Sequence, residues 1–191
     1  MQTFLPYSCY DESAECLDPS RLNKQIVECK QIAACLKRKE EGAAAGWSNH
    51  PAVRMWEGHE LSLLDYATAM ADEYEHRRKK EHKAFTNMLD EYLGWFNSHA
   101  YLKPHWVGDF DIHSSHRSRL LHKGTIDVLR KRIKNLNVVW STLKVVDVQY
   151  YCRLNNFDYN EIVASSHYAQ FNWNESPGDE NVWPVELLGA T

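Results

Sequence analysis

Apolar side chains recur at helical spacing in the first quarter of the chain. Five of them follow one another at steps of three or four residues and therefore share one helix face: Leu22, Ile26, Cys29, Ala33 and Leu36. Asp18 is a favoured capping residue, Pro19 is tolerated at a first helical position, and Gly42 is typical of a helix end. The pattern predicts an amphipathic helix from Asp18 to Gly42.

Two further helices are predicted before residue 100. One begins at residues 49–51 (NHP) and reaches the charged stretch 76–83, and its apolar stripe comprises Val53, Trp56, Leu64, Ala67 and Ala71. The other covers residues 85–96, where the residues in phase are Leu89, Tyr92, Leu93 and Phe96. Both patterns indicate helices with one buried face.

The second half of the chain has a less regular pattern. Residues 108–113 are loop-like, residues 114–123 predict a short capped helix, and an apolar triplet predicts another: Ile126, Leu129 and Ile133. The β-branched run 138–148 fits either a helix or a strand, and a further helix is expected near Tyr159. From Glu175 onward, Pro, Gly and acidic residues predict coil.

Length and composition are those of one soluble globular domain. The 191 residues are 43% hydrophobic and 25% charged, and no apolar run is long enough to span a membrane. Five cysteines, an odd number without a Cys-x-x-Cys pair, follow an N-terminus that is not a signal peptide. We therefore expect reduced thiols and an intracellular, cytoplasmic protein.

Positive charge is concentrated in one segment of an otherwise acidic chain. The formal net charge is −4, yet residues 114–134 carry seven Arg or Lys residues against one acid, a net charge of +6. Residues 175–186 carry four acids and no base. This asymmetry predicts a surface that faces a polyanion, with Arg130 and Arg132 continuing the cationic stretch.

Chemically useful side chains form a second stripe on the first predicted helix. Arg21, Lys24, Gln25 and Glu28 lie at positions i, i+3, i+4 and i+7. An amine can attack a sugar C1′, a carboxylate can stabilise the resulting cation or move protons, and an arginine can hold a phosphate. The alternative is a solvated helix face with one ion pair.

Two other clusters suit phosphate binding. His50 and Arg54 lie one turn apart at a predicted helix start, where unpaired amides favour an anion, although Asn49 could simply cap the helix. His113 and His116 have metal-ligand spacing, but the surrounding cations and the lack of a Cys-x-x-Cys pair argue against zinc. Histidines interleaved with Arg and Lys favour phosphate contacts, while a structural role for at least one stays open.

Five blocks in one order resemble the bacterial and phage pyrimidine-dimer DNA glycosylases of the endonuclease V type. They are TFLPY at 3–7, LDPSRLNKQ at 17–25, NHPAVRMWEG at 49–58, HSSHRSRLLHK at 113–123, and FNW at 171–173 with VWP at 182–184. The resemblance covers roughly residues 1–66, 104–123 and 167–184. It leaves residues 124–166 as an insertion within a single domain of residues 1–191.

The resemblance implies a compact all-α fold that binds duplex DNA, extrudes a nucleotide and cleaves a base–sugar bond without metal or cofactor. In the family, the nucleophile is the α-amine of a small residue exposed by removal of the initiator Met, and a glutamate on the first helix assists. Here Gln2 is too large for that removal, so the amine would be that of Met1. Residues 23–25 (NKQ) replace the glutamate, and Glu28 lies one turn later.

These observations predict a DNA glycosylase for a damaged or modified base, with or without abasic-site lyase activity. The candidate catalytic residues are Glu28, Lys24 and Met1, and the candidate DNA-binding residues are Arg21, Gln25, His50, Arg54, His113, His116, Arg117, Lys123, Arg130 and Arg132. Duplex DNA is the expected partner, with no membrane and no obligate protein partner. The alternatives are a non-catalytic DNA-binding protein and a phosphodiesterase built on His113 and His116.

Overall fold

The computed structural model describes residues 2–43, 46–133, 143–178 and 180–184, and the described part is helical. Its elements are α1 (Tyr10–Cys16), α2 (Pro19–Glu40), α3 (Pro51–Arg54), α4 (Glu60–Arg78), α5 (Lys83–Phe96), α6 (Phe110–Arg132), α7 (Val145–Leu154), α8 (Tyr159–Ala164) and a 3₁₀ helix (His167–Phe171). Within these ranges there is no strand. The prediction of an all-α fold is confirmed.

The chain forms two compact units. The first comprises Met1–Asp109 together with Trp183–Thr191, and the second comprises Phe110–Val182. The boundary therefore falls at the start of α6, fourteen residues before the insertion expected from residue 124. A single domain with an insertion over residues 124–166 stays a prediction.

Helix α2 is the central helix of the first unit and packs against α4, α5 and α3. The Asp18 side chain accepts hydrogen bonds from the backbone N–H groups of Ser20 and Arg21, and Pro19 occupies the first helical position. All five predicted stripe residues are buried, together with Ile32. The predicted first helix is thus confirmed in its cap, its extent and its buried face.

The single helix predicted to begin at residues 49–51 is wrong, because the chain forms two helices there. Helix α3 ends at Arg54, Gly58 adopts a left-handed φ of +79°, and α4 begins at Glu60. A residue in this backbone region interrupts a helix, and glycine adopts it without steric cost. Val53, Trp56, Ala67 and Ala71 are nevertheless buried as predicted, and Leu64 is half-buried.

Helix α5 confirms the third predicted helix but changes its buried face. Met88, Tyr92 and Phe96 point into the core at successive spacings of four residues, whereas Leu93 is 42% exposed. Leu89 is only half-buried. The pattern was ambiguous because α5 carries apolar side chains on more than one face.

In the second unit, α6 runs without a break through the region predicted as loop, short helix and second helix. Gly124 does not end a helix: a Cβ atom there would lie 2.7 Å from Tyr168 Cδ2. The glycine is therefore required by close packing of the 3₁₀ helix on α6. The separate helices predicted for residues 114–123 and 126–133 are one element, and Phe110–His113 belong to it.

The second unit has a small hydrophobic core formed mainly by α6, α7 and α8. It consists of Ile126, Leu129, Leu143, Val148, Cys152 and Ile162. The first part of the run 138–148 lies outside the described residues, and its end is helical in α7. Helix α8 confirms the helix expected near Tyr159, and residues 175–178 and 180–184 are coil as predicted. No described helix is long and apolar enough to cross a membrane.

Candidate active site

The non-helical residues at the start of the chain are bonded to side chains of α2, α4 and the segment after α3. The Phe4 N–H donates to Gln25 Oε1 at 2.9 Å, and Trp56 Nε1 donates to Thr3 Oγ1 at 3.1 Å. The Tyr66 hydroxyl lies 2.9 Å from the Phe4 carbonyl oxygen and 2.8 Å from Gln25 Oε1. These buried hydrogen bonds hold the N-terminal segment at one position along α2.

Gln25 and Tyr66 are buried in the first unit and are hydrogen-bonded to each other. Burial raises the pKa of Tyr66 well above its usual value, so its hydroxyl keeps the proton that it donates. Gln25 is 1% exposed, and its amide oxygen accepts from both Phe4 and Tyr66. The position of Gln25 therefore does not support the contact with DNA that the sequence predicted.

The Glu28 carboxylate lies where the N-terminal segment crosses α2. Its Oε2 accepts a hydrogen bond from the backbone N–H of Gln2 at 2.9 Å, and its Oε1 lies 3.7 Å from Lys24 Nζ. The Glu28 side chain is 8% exposed, whereas that of Lys24 is 70% exposed. The pair places a nearly buried carboxylate beside an amine that reaches solvent, while Met1 lies outside the described residues.

The two predicted arginines of the first unit lie near helix ends. Arg21 Nη1 contacts Asp18 Oδ2 at 2.6 Å, so the side chain that caps α2 also holds the guanidinium. Arg54 is the last residue of α3 and is half-buried. A guanidinium can bind a phosphate through two parallel hydrogen bonds, so both arginines are suited to that contact.

His50 caps helix α3 and belongs to an aromatic cluster. Its Nδ1 accepts a hydrogen bond from the Ala52 N–H at 3.1 Å, and its ring centroid lies 5.4 Å from that of Trp47 and 6.5 Å from that of Trp183. Burial lowers the pKa of His50, which favours the neutral ring that this cap requires. His50, not Asn49, is thus the capping residue.

The histidines of the second unit lie in its interior. His113 is 5% exposed and His116 is fully buried, while His122 Nε2 lies 2.5 Å from the Leu143 carbonyl oxygen. Neither His113 nor His116 offers surface to a phosphate, which also removes support for a phosphodiesterase built on them. No group of three or more His, Cys, Asp or Glu suitable for a metal occurs among the residues that the structure describes.

Arg117 is bound by residues 174–178, called the Glu175 strap here. Its guanidinium forms an ion pair with Glu175, and the two side chains are only 11% and 14% exposed. The strap is also bonded to Ser118, whose hydroxyl donates to the Ser176 carbonyl oxygen and whose carbonyl accepts from the Gly178 N–H at 3.2 Å. The described position of Arg117 therefore pairs it with a carboxylate.

The other predicted cations of this unit are more accessible. Arg130 and Arg132 are exposed near the end of α6, with Arg130 Nη1 3.5 Å from Asp127 Oδ1 and Arg132 Nη2 3.8 Å from Glu161 Oε1. Lys123 is half-buried. Exposed ion pairs at these distances contribute little to stability and can exchange partners.

The first unit thus brings a nearly buried carboxylate and an exposed amine together on one helix of an all-α scaffold. The family model for pyrimidine dimer DNA glycosylase matches residues 1–99, a stretch that contains α1 to α5 and the Lys24–Glu28 pair. The chain belongs to this family, whose activity is that of a DNA-repair glycosylase. No curated protein and no solved structure matches the chain.

Several residues of the site were not predicted from the sequence. Trp56 and Tyr66 bind the N-terminal segment at Thr3 and Phe4, yet the sequence indicated only a core position for Trp56, and Tyr66 falls outside the predicted stripe. Glu175, the partner of Arg117, lies 58 positions away in the chain, and the sequence did not predict this pair either. The signal that the sequence offered for these contacts was the block TFLPY at residues 3–7. It lacks helical periodicity, so its residues need contacts with side chains elsewhere in the chain.

Proposed function

We propose that this protein excises a damaged pyrimidine from duplex DNA, with Glu28 as the catalytic carboxylate. The observation that carries the proposal is the contact of Glu28 with both the Gln2 backbone N–H and the Lys24 amine. This arrangement lies inside the stretch that matches the glycosylase family. A nearly buried carboxylate in this position is suited to stabilising positive charge that develops on a sugar.

In the proposed reaction, an amine attacks C1′ of the damaged nucleotide. The bond between C1′ and the base breaks, and the base leaves with the bonding electron pair and takes up a proton. The nitrogen, which is positively charged after the attack, then loses a proton to Glu28. The bond between C1′ and O4′ breaks, O4′ takes up that proton from Glu28, and the nitrogen and C1′ form a protonated imine between enzyme and DNA. Elimination of the 3′ phosphate from this imine would give the abasic-site lyase activity.

Two amines are candidates for the nucleophile. Lys24 Nζ is supported by its distance of 3.7 Å from Glu28 and by its exposure, which allows it to reach DNA. The α-amine of Met1 is supported by the family chemistry and by the position of Gln2 on Glu28. The two predict different products, because the trapped peptide would contain either residue 24 or residue 1.

The proposed DNA contacts use the cations that remain accessible in each unit. In the first unit they are Arg21 and Arg54, while His50 contributes as a neutral ring. In the second unit they are Lys123, Arg130 and Arg132, and Arg117 would have to release Glu175 first. Such contacts to phosphates position a protein on duplex DNA without reading its sequence.

The test is a panel of duplexes that carry a thymine dimer, a uracil or an abasic site, incubated with the protein and borohydride. We expect base release and a covalent adduct with at least one lesion, both reduced in Glu28→Gln. Loss of the adduct in Lys24→Gln together with a trapped peptide at residue 24 would assign the nucleophile. Tight binding to damaged duplexes without base release or adduct would contradict the proposal and favour the non-catalytic DNA-binding protein.

A further inference from the structure

The turn between α4 and α5 carries a dense group of exposed cations. This segment, residues 78–83 (RKKEHK), is called the basic turn here. It has four Arg or Lys residues against one acid, a net charge of +3 with its histidine neutral. All four cations are exposed: Arg78, Lys79, Lys80 and Lys83. The proposed reaction uses none of them.

Hydrogen bonds anchor the backbone of the basic turn. The Lys79 N–H donates to the Glu75 carbonyl oxygen at 2.7 Å and ends α4, while the His82 N–H donates to Glu75 Oε1 at 3.0 Å. His82 is buried, and its Nδ1 accepts from the Phe85 N–H at 3.3 Å to cap α5. The charged side chains thus extend from a fixed turn, so less conformational entropy is lost when they bind a ligand.

The basic turn is bonded to the half of α2 that carries the candidate amine. Because His82 Nδ1 accepts a hydrogen bond, its Nε2 carries the proton and donates to Asn23 Oδ1 at 3.0 Å. Asn23 directly precedes Lys24 and lies about 7.5 Å along the helix axis from Glu28. The hydrogen bond therefore places the basic turn beside the residue that precedes the candidate nucleophile.

The charge of the basic turn is not paired within the protein. None of the four cationic side chains has a hydrogen bond, an ion pair or an aromatic contact in the described part of the chain. Glu81, the acid of the turn, is hydrogen-bonded to Thr86 instead. In the second unit, by contrast, Arg117, Arg130 and Arg132 each lie within 4 Å of a carboxylate. The basic turn offers free cations to an external anion.

Helix stability does not account for these charges. A cation near the end of a helix interacts favourably with the helix dipole by up to about 1 kcal/mol, which applies to Arg78 and Lys79 at the end of α4. Lys83 is the first residue of α5, where the positive end of the dipole disfavours a cation. Four neighbouring like charges also repel one another. The fold therefore carries this charge at some cost, as expected for a surface that binds a polyanion.

We propose that the basic turn binds the phosphate backbone of duplex DNA outside the damaged nucleotide, an inference that rests on the proposed action on duplex DNA. Closely spaced, unpaired Lys and Arg side chains on a fixed turn suit neighbouring phosphates and need no contact with a base. Each lysine that displaces a counterion from a phosphate adds to the salt dependence of binding. The bond between His82 and Asn23 lets the same duplex reach both the turn and α2.

The first experiment measures the salt dependence of binding to a short undamaged duplex by fluorescence anisotropy. In the double variant Lys80→Gln with Lys83→Gln, the slope of log affinity against log salt should fall by about two units, and Kd should rise about tenfold at about 0.1 M salt. The matched control is Lys37→Gln with Lys39→Gln, which changes the net charge equally but removes cations that lie within 4 Å of carboxylates. The control should keep the wild-type slope.

The second experiment detects direct contact by acetylating lysines with and without saturating duplex and analysing the peptides by mass spectrometry. Lys80 and Lys83 should be protected by the duplex, whereas acetylation of Lys37 should not change. Because Lys80 and Lys83 are exposed, circular dichroism and urea denaturation of the double variant should match wild type.

The outcomes separate the basic turn from the glycosylase. An unchanged slope in the Lys80 and Lys83 double variant, an equal loss of slope in the control, or unprotected lysines would overturn the contact even where the lesion panel shows base release. Absence of excision from the whole panel would overturn the proposed function, and a reduced slope with protected lysines would then still support a DNA-binding surface at the basic turn.

Discussion

Replacing Glu28 by Gln changes the charge at the candidate site and little else. The side chain keeps its size, and the amide oxygen can still accept the hydrogen bond that Gln2 donates to Oε2 at 2.9 Å. What is lost is a negative charge with a side chain only 8% exposed, where water screens it poorly. The substitution therefore tests whether that charge acts in the reaction.

The expected losses in rate and in stability differ widely. Removing one preorganised group that stabilises transition-state charge typically lowers the rate about 100- to 1000-fold, or about 3–4 kcal/mol of activation free energy. The contribution of the ion pair to stability is small, because its partner Lys24 is 70% exposed and the charges are 3.7 Å apart. Because a neutral amide accepts the Gln2 hydrogen bond more weakly than the carboxylate does, we expect the free energy of unfolding to fall by about 1 kcal/mol.

The assay is single-turnover base release from a lesion duplex with the protein in excess, paired with anisotropy measurements of duplex affinity. Affinity should stay within a few-fold of wild type, since the charge is needed in the transition state. Glu41→Gln is the matched control, because Glu41 pairs with Lys37 at 3.9 Å with the same i, i+4 spacing. Wild-type rates in Glu28→Gln, or an equal loss of rate in Glu41→Gln, would refute this role.

Three further predictions concern the scaffold. Gln25→Met removes the acceptor of the buried Phe4 N–H, while the Tyr66 hydroxyl can still donate to the Phe4 carbonyl oxygen, and should lower the free energy of unfolding by about 1–3 kcal/mol in urea denaturation. Gly124→Ala should lower the free energy of unfolding by about 1–3 kcal/mol, because its Cβ would meet Tyr168. Gly94→Ala should raise it by about 0.5–1 kcal/mol, because this glycine lies in α5 with nothing within 4 Å of the added Cβ. Equal effects of the two substitutions would contradict the packing argument. Burial lowers the pKa of His82 in the folded protein below its usual 6.5, so the unfolded chain binds more protons. The stability due to neutral His82 is therefore complete above about pH 6.5 and is lost as the pH falls through the folded pKa. His82→Asn, which retains a capping side chain, should reduce this pH dependence in thermal unfolding between pH 7 and pH 5.

The elements predicted correctly from the sequence are those whose signals are local. Helix α2 has a capping aspartate, a proline at its first position and a single apolar stripe, and all three act within a few residues of one another. Helix α8 is similarly capped by Asp158, whose side chain accepts from two backbone N–H groups. The stripe that brought Lys24 and Glu28 together was equally readable, because positions four apart on a helix are neighbours.

The features that the sequence did not reveal depend on distant partners. The helix predicted for residues 114–123 continues through Gly124, which packs against Tyr168, and the burial of Gln25 follows from the hydrogen bonds that Phe4 and Tyr66 donate to it. At Gly58 the apolar pattern continues on both sides, but the left-handed backbone of this residue divides the predicted helix into two. In each case the deciding contact or turn leaves no periodic trace in the sequence.

The number of cations in the second unit is a poor guide to its affinity for DNA, because several of them are paired with carboxylates of the protein. Arg117 is nearly buried against Glu175, and Arg130 and Arg132 lie within 4 Å of carboxylates, so part of the positive charge near α6 is neutralised by the protein itself. A cation that exchanges an internal carboxylate for a phosphate contributes less to binding than one that is free, because the first contact must be lost. The salt dependence of duplex binding should therefore fall below the slope expected from all seven Arg and Lys residues between 114 and 134. Glu175→Gln should steepen that dependence by about one phosphate contact as it releases Arg117. An unchanged slope would mean that Arg117 stays within the second unit and does not reach DNA.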